Sequence, residues 1–182
     1  MRHRVGHDVE PDDLAALALT YEPIGATRNG ALPAGFHHVV VERRIGTGRD
    51  TFDRARLGLF GFAAQRGAGL RPRATAATAA PGVDILCRLG VGPIALSVPC
   101  RVVWVLDEPG RAGFGYGTLE GHVESGEEGF LVELRGQEVY AVVRAYSVPV
   151  SRVMGRLGPL ARWGQHLVAV LDALALRRAA RA

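Results

Sequence analysis

Along the second half of the chain, apolar positions recur at every second residue. This is the period of strands with one face on a core. A short strand is expected over 83–89 and a longer one over 95–106, with Cys100, Val102, Trp104 and Leu106 on one face. Strands follow at about 112–119, 127–135 and 138–147. Asp107-Glu108-Pro109-Gly110 supplies one reversal, proline presetting a dihedral and glycine permitting the turn, and Arg135-Gly136-Gln137-Glu138 supplies another.

Elsewhere the period is helical. Phe52, Ala55, Leu59, Phe62 and Ala63 recur at three and four residues, with Asp50 or Thr51 as N-cap and a stop by Gly67 or Gly69. Leu157, Leu160, Gly164, Leu167, Leu171 and Leu174 form one stripe of a long C-terminal helix, which must cover something. Pro11-Asp12-Asp13 opens a short helix, 36–45 is a strand around Val39, Val40 and Val41, and 70–82 is an Ala/Thr-rich loop. The order is strand, helix, about five antiparallel strands, long helix. It predicts an α+β domain in which a curved antiparallel sheet of about six strands wraps around a long C-terminal helix, the helix-grip arrangement.

Two local features stand out. Gly113-Phe114-Gly115-Tyr116-Gly117-Thr118 has glycine at every second position, so one strand face is bare, and close approach of the C-terminal helix or a ligand is expected there. The following turn gathers His122, Glu124, Glu127 and Glu128. Imidazole and carboxylate together suit acid/base chemistry, with His122 and Glu124 as the catalytic candidates. Glu127 and Glu128 are adjacent strand residues and must point to opposite faces, so at most one joins His122.

Composition narrows the classes. The 182 residues fit one domain, with a core from about 21 to 176 and residues 1–10 expected to be disordered. The 48% hydrophobic and 22% charged content is that of a chain that folds. The net charge of +4 comes with 22 basic residues that are all arginine and a single Asn, Asn29. That pattern reflects GC-rich, bacterial-type codon usage rather than a partner. No basic strip interleaved with aromatics is present, so no nucleic-acid partner is expected.

Cys87 and Cys100 lack metal-ligand spacing, and no metal or cofactor is expected. His37 and His38 face opposite sides of their strand, and His166 is on the last helix. No stretch approaches the roughly 20 apolar residues that span a bilayer, and no signal peptide begins the chain, so a cytoplasmic location is expected. Gly46-Thr47-Gly48 lacks the lysine and spacing of a phosphate loop, and no nucleophile elbow or zinc-protease motif occurs.

The order and lengths of the elements resemble the superfamily of polyketide cyclases, START lipid-transfer domains and Bet v 1-type plant proteins. At residue level the chain is similar to the family called Domain of Unknown Function nineteen-ninety. The matching pieces include Tyr21-Glu22-Pro23-Ile24-Gly25, Leu32-Pro33-Ala34-Gly35-Phe36, Arg44-Ile45-Gly46-Thr47-Gly48, Gly113 to Leu119, Gly121-His122 with Glu124, and Gly158-Pro159-Leu160 with Gln165. The resemblance implies an architecture and no particular activity; residues 70–82 depart from it.

The palette fits a cavity between sheet and helix, apolar with a few polar groups: Tyr116 and Thr118 beside the glycine face, and Tyr140 and Tyr146 on one face of the last strand. The leading expectation is a protein that binds a small hydrophobic or amphipathic molecule there. A cyclase, hydrolase or isomerase using the same cavity and a protein-interaction or dimerisation module are the alternatives. Oligomeric state is not legible in the sequence. Tyr21-Glu22-Pro23-Ile24-Gly25 is expected to act as a structural latch or to close one end of the cavity.

Overall fold

Residues 11–89, 96–150 and 158–181 are described by a computed structural model. After a 3-10 helix at Pro11–Ala16 come α1 (Ala26–Asn29), β1 (His37–Thr47), α2 (Arg49–Phe60), α3 (Ala63–Gly67), β2 (Arg73–Ala74) and β3 (Asp84–Leu89). They are followed by β4 (Leu96–Glu108), β5 (Arg111–Thr118), β6 (Glu124–Arg135), β7 (Glu138–Pro149) and α4 (Gly158–Ala179). The strands form one antiparallel sheet in the order β1-β7-β6-β5-β4-β3-β2, with α2, α3 and α4 packed on its inner face. This is the expected helix-grip architecture, with seven strands rather than about six. The extra one is β2, inside the segment expected to be a loop, where Arg73 and Ala74 pair with Leu86 and Ile85. The expectation for residues 1–10 lies outside the described residues.

Alternation sorts the side chains, except where a bulge intervenes. On the inner face Val39, Val41, Val102, Phe114, Phe130 and Val143 join Phe52 and Leu59 of α2 and Leu176 of α4 in the main core. Between Val102 and Trp104 the pairing with β5 slips by one residue. Cys100 and Val102 therefore face inward with the Tyr116 side of β5, while Trp104 and Leu106 pair with Gly115 and Gly113 and pack on the outer face with Leu131 and Val142. The expectation that Cys100, Val102, Trp104 and Leu106 share a face is corrected by that bulge, which turns every later side chain over.

The helices differ from expectation in instructive ways. Helix α2 begins one residue before Asp50, capped by Gly48 with no side-chain cap, and the Thr51 hydroxyl donates to the Thr47 carbonyl at 2.7 Å. It does not run on to Gly67. The chain breaks at Gly61 and Phe62, which adopts a left-handed conformation (φ 61°) and sets its ring edge-on to Phe114.

In α4 the buried stripe is Ala169, Ala173, Leu176 and Ala180 rather than the expected Leu167, Leu171 and Leu174; Leu171 and Leu174 are half-buried and Leu167 is 41% exposed. Leu157 and the side chains at 160 and 164 lie outside the described residues. Close packing explains the shift. A β-carbon on Gly67 or Gly58 would overlap Ala175 or Ala179, so the helices meet through their smallest residues. Among the described residues no helix is long and apolar enough to cross a membrane.

Candidate functional site

The bare glycine face lies on the outer side of the sheet, away from α4. A β-carbon on Gly115 would overlap the Trp104 indole, one on Gly117 would overlap the Tyr21 ring, and one on Gly129, paired with Gly115, would come within 2.7 Å of both Trp104 and Thr27. The expected approach by the C-terminal helix or a ligand is corrected. Flat aromatic side chains from β4 and from the segment before α1 fill the room the glycines leave, because the bulge in β4 has carried Trp104 to that face.

That segment is a latch, and Glu127 is its anchor. Glu127 is 3% exposed. Its carboxylate accepts hydrogen bonds from the Tyr21 hydroxyl (2.8 Å), the Gly25 amide (2.6 Å), the Thr27 amide (3.0 Å) and hydroxyl, and Trp104 Nε1 (3.2 Å). All five donors are neutral, and two are backbone N–H groups where the chain turns into α1, a favourable setting for a negative charge. Burial and the adjacent carboxylate push the Tyr21 phenol well above its usual range, so it stays a donor.

The inner face carries a cavity of about 490 Å³. Val39, Leu70, Val98, Ala145, Leu167 and Val168 give it apolar walls from the sheet, from the end of α3 and from α4. The polar groups on it are few. Tyr116 donates to Glu128 Oε2 at 2.8 Å, the two being cross-strand partners, and the Tyr116 ring packs against Phe130 with centroids 5.3 Å apart.

Burial raises Glu128 to about 7, opposed by the Tyr116 hydrogen bond and reinforced by the charge of Glu124. Asp172 of α4 is 1% exposed, has no hydrogen-bond partner on Oδ1, and is raised well above the carboxylate range by burial and then by Glu128. Burial pushes the Cys87 thiol up to about 12 and raises Cys100 well above the usual thiol value, so both are inert thiols.

The sequence-selected residues separate between the two faces. Tyr116 points into the cavity. Thr118 borders it, but its hydroxyl is engaged with Thr20 Oγ1 (2.7 Å) and with the Gly126 amide (3.0 Å). Tyr146 also borders the cavity, yet its ring packs on the outer side against Tyr21 and Phe36, and its hydroxyl donates to the Pro23 carbonyl. Tyr140 stands apart, its hydroxyl on Glu138 and its ring under the Arg135 guanidinium.

His122 and Glu124 border the cavity. His122 Nδ1 lies 2.9 Å from the Glu124 amide nitrogen and 3.0 Å from the Glu124 carbonyl oxygen, accepting from the one or donating to the other according to its tautomer, and burial lowers the imidazole to about 4. It is neutral at physiological pH. Glu127 and Glu128 point to opposite faces, as alternation requires, and Glu128 joins the cavity. Among the described residues no three His, Cys, Asp or Glu side chains gather as a metal-binding group.

Asp172 was missed by sequence reasoning. Its signal is a lone acid in the apolar run from Leu167 to Leu176. Thr27 and Trp104, partners of the anchor, carry no such signal, because only the fold brings them to Glu127.

The raised Glu128 has a consequence for stability. A carboxyl whose folded value exceeds its unfolded one costs nothing below the unfolded value, near 4.5, and costs progressively more as pH climbs through 7. Glu128→Gln removes that cost. The variant is expected to match the parent at about pH 4.5 and to exceed it by about 1–2 kcal/mol at about pH 8, allowing for water in the cavity. Urea unfolding at both pH values measures this, and equal stabilities at about pH 8 would place Glu128 in a water-like setting.

A seven-stranded helix-grip sheet, closed on one face by an anchored latch and open to a cavity on the other, defines the class of this protein. It belongs to the family described as Domain of unknown function (DUF1990), whose model matches residues 20–173. A UPF0548 protein of Deinococcus radiodurans is 34% identical over 130 residues, spanning 64% of this chain and 64% of that relative's length. Among solved structures, the KanY protein has a TM-score of 0.59 at 10% identity, covering 81% of this chain and 99% of its own. Protein NE0264 from Nitrosomonas europaea has a TM-score of 0.52 at 10% identity, covering 81% and 97%. At that identity the likeness concerns the fold alone.

Proposed function

We propose that this protein binds a small hydrophobic or amphipathic molecule in the cavity between its sheet and α4. The observation that carries the reading is the cavity itself, about 490 Å³ with apolar walls and few polar groups, the usual make-up of a small-molecule site. Glu128 supports it, because a buried carboxyl on the cavity wall that costs stability is a feature a merely structural core would replace with an apolar side chain.

Ala145 lies opposite Glu128 on β7 and lines the wall. Ala145→Phe is expected to fill the space and weaken binding by at least about tenfold while the fold persists. Native mass spectrometry of the purified protein, followed by thermal-shift screening of lipids and polyketide-like compounds, tests the reading. A co-purifying molecule that Ala145→Phe loses supports it. No bound species and no shift with any compound would remove it.

One observation favours a second reading. Tyr116 and Glu128 are 2.8 Å apart, with Glu128 titrating near neutrality, an arrangement suited to proton transfer to or from a bound substrate. On that reading Glu128 is the acid/base, with Tyr116 orienting it, and His122 and Glu124 shape the surroundings. Its test is chemical conversion of a bound compound by the parent protein and none by Glu128→Gln.

A further inference from the structure

One rung of the sheet sets a single hydrogen-bonding pair into an apolar row. Val39, Ala145, Glu128, Tyr116 and Val102 pair in turn across β1, β7, β6, β5 and β4, and all five face inward. On the adjacent rung Phe130 and Val143 belong to the main core, so the pair stands at the inner limit of the cavity. Tyr116 and Glu128 are half-buried, and both border the cavity. A phenol has one proton to donate, and Tyr116 gives it to Glu128 Oε2 at 2.8 Å. Burial raises that phenol well above its usual value, so the proton stays on it. An ionised carboxylate only accepts. Glu128, raised to about 7, is ionised at about pH 8, and the pair then offers the cavity acceptor lone pairs and no donor. Elsewhere on the wall the Thr118 hydroxyl bonds to Thr20 and Gly126, and His122 Nδ1 bonds to the backbone of Glu124.

From this arrangement we propose that the cavity selects an amphipathic alcohol or phenol, its hydroxyl donating to Glu128 and its apolar body against Val39, Val98, Ala145 and Val168. The proposal rests on the cavity being a ligand site, and it makes Glu128 the residue that decides which head group is taken. A hydroxyl supplies the donor that the pair lacks, in a charge-assisted bond. A carbonyl brings lone pairs against lone pairs and leaves its own hydration unreplaced. An ammonium donates as well, but it gives up far more hydration on entering an apolar cavity.

Glu128→Gln gives the test its direction. The glutamine oxygen accepts from Tyr116 as before, which turns the amide NH2 toward the cavity and exchanges an acceptor for donors. The gain in stability expected of this variant keeps it folded. Calorimetric titration of the full chain with n-octanol and 2-octanone compares two heads on bodies of equal carbon number. At about pH 8 the parent is expected to bind the alcohol at least about tenfold more tightly than the ketone. In Glu128→Gln the alcohol-to-ketone ratio is expected to fall by about tenfold or more, to parity or to a preference for the ketone. Equal binding of both by the parent, or tighter binding of the ketone, overturns the proposal and leaves the cavity reading standing. A ratio unchanged in Glu128→Gln overturns it too, since another group then chooses the head. Binding of neither compound overturns the cavity reading and this proposal with it.

Discussion

Glu127→Ala is expected to cost about 4 kcal/mol or more of folding stability, because five buried donors lose their acceptor and each unsatisfied group costs about 1–3 kcal/mol before relaxation. For a domain whose whole stability is of order 5–15 kcal/mol, that is a loss of a third or more. Glu127→Gln is expected to cost less, about 2 kcal/mol, since one oxygen remains for Thr27 and Trp104 while the amide nitrogen faces the Gly25 N–H. Urea unfolding gives both values, and limited proteolysis should find residues 20–30 newly cleavable in the alanine variant. A loss under about 1 kcal/mol for Glu127→Ala would mean that the latch holds without its anchor.

The second large effect is steric and changes sign with context. Converting a strand glycine to alanine ordinarily gains about 0.5–1 kcal/mol by restricting the unfolded chain. At Gly115 the new β-carbon would overlap the Trp104 indole, which cannot step aside without breaking its hydrogen bonds to Thr27 Oγ1 (3.1 Å) and Glu127 (3.2 Å). Gly115→Ala is therefore expected to destabilise by about 2–3 kcal/mol. Trp104→Leu removes the obstacle at its own cost, so the double variant should lose clearly less than the sum of the two single losses, a coupling of about 1 kcal/mol or more. Additive losses would show that Gly115 and Trp104 do not press on one another.

Much of this architecture was legible in the sequence. Period-two alternation located the strands, and the Pro-Gly and Gly-Gln turns located two hairpins, because each depends only on neighbours in the chain. Trp104 was placed on the wrong face because a bulge depends on the partner strand, and nothing in residues 102–104 records the slip. The glycine face was read as a site for the helix or a ligand from its bareness alone, which does not record that Trp104 and Tyr21 fill it.

The leucine stripe of α4 misled in a similar way. Hydrophobicity alone favours leucine, but the close approach of α3 and α4 selects alanine for burial and leaves Leu167 at the cavity. The acidic turn was recognised as chemistry, and alternation correctly separated Glu127 from Glu128. It could not say which was a structural anchor and which faced the cavity. That distinction required Tyr21, Thr27 and Trp104, brought together across the sheet, and Asp172 from a helix more than 40 residues away in the chain.

A ligand cavity on the inner face is the central claim, and methyl-labelled NMR of the protein with n-octanol tests it most directly. Intermolecular NOEs are expected from the alkyl chain to the methyls of Val39, Val98, Ala145 and Val168. NOEs confined to the outer face around Trp104 and Leu131, or none under saturating n-octanol, would contradict it.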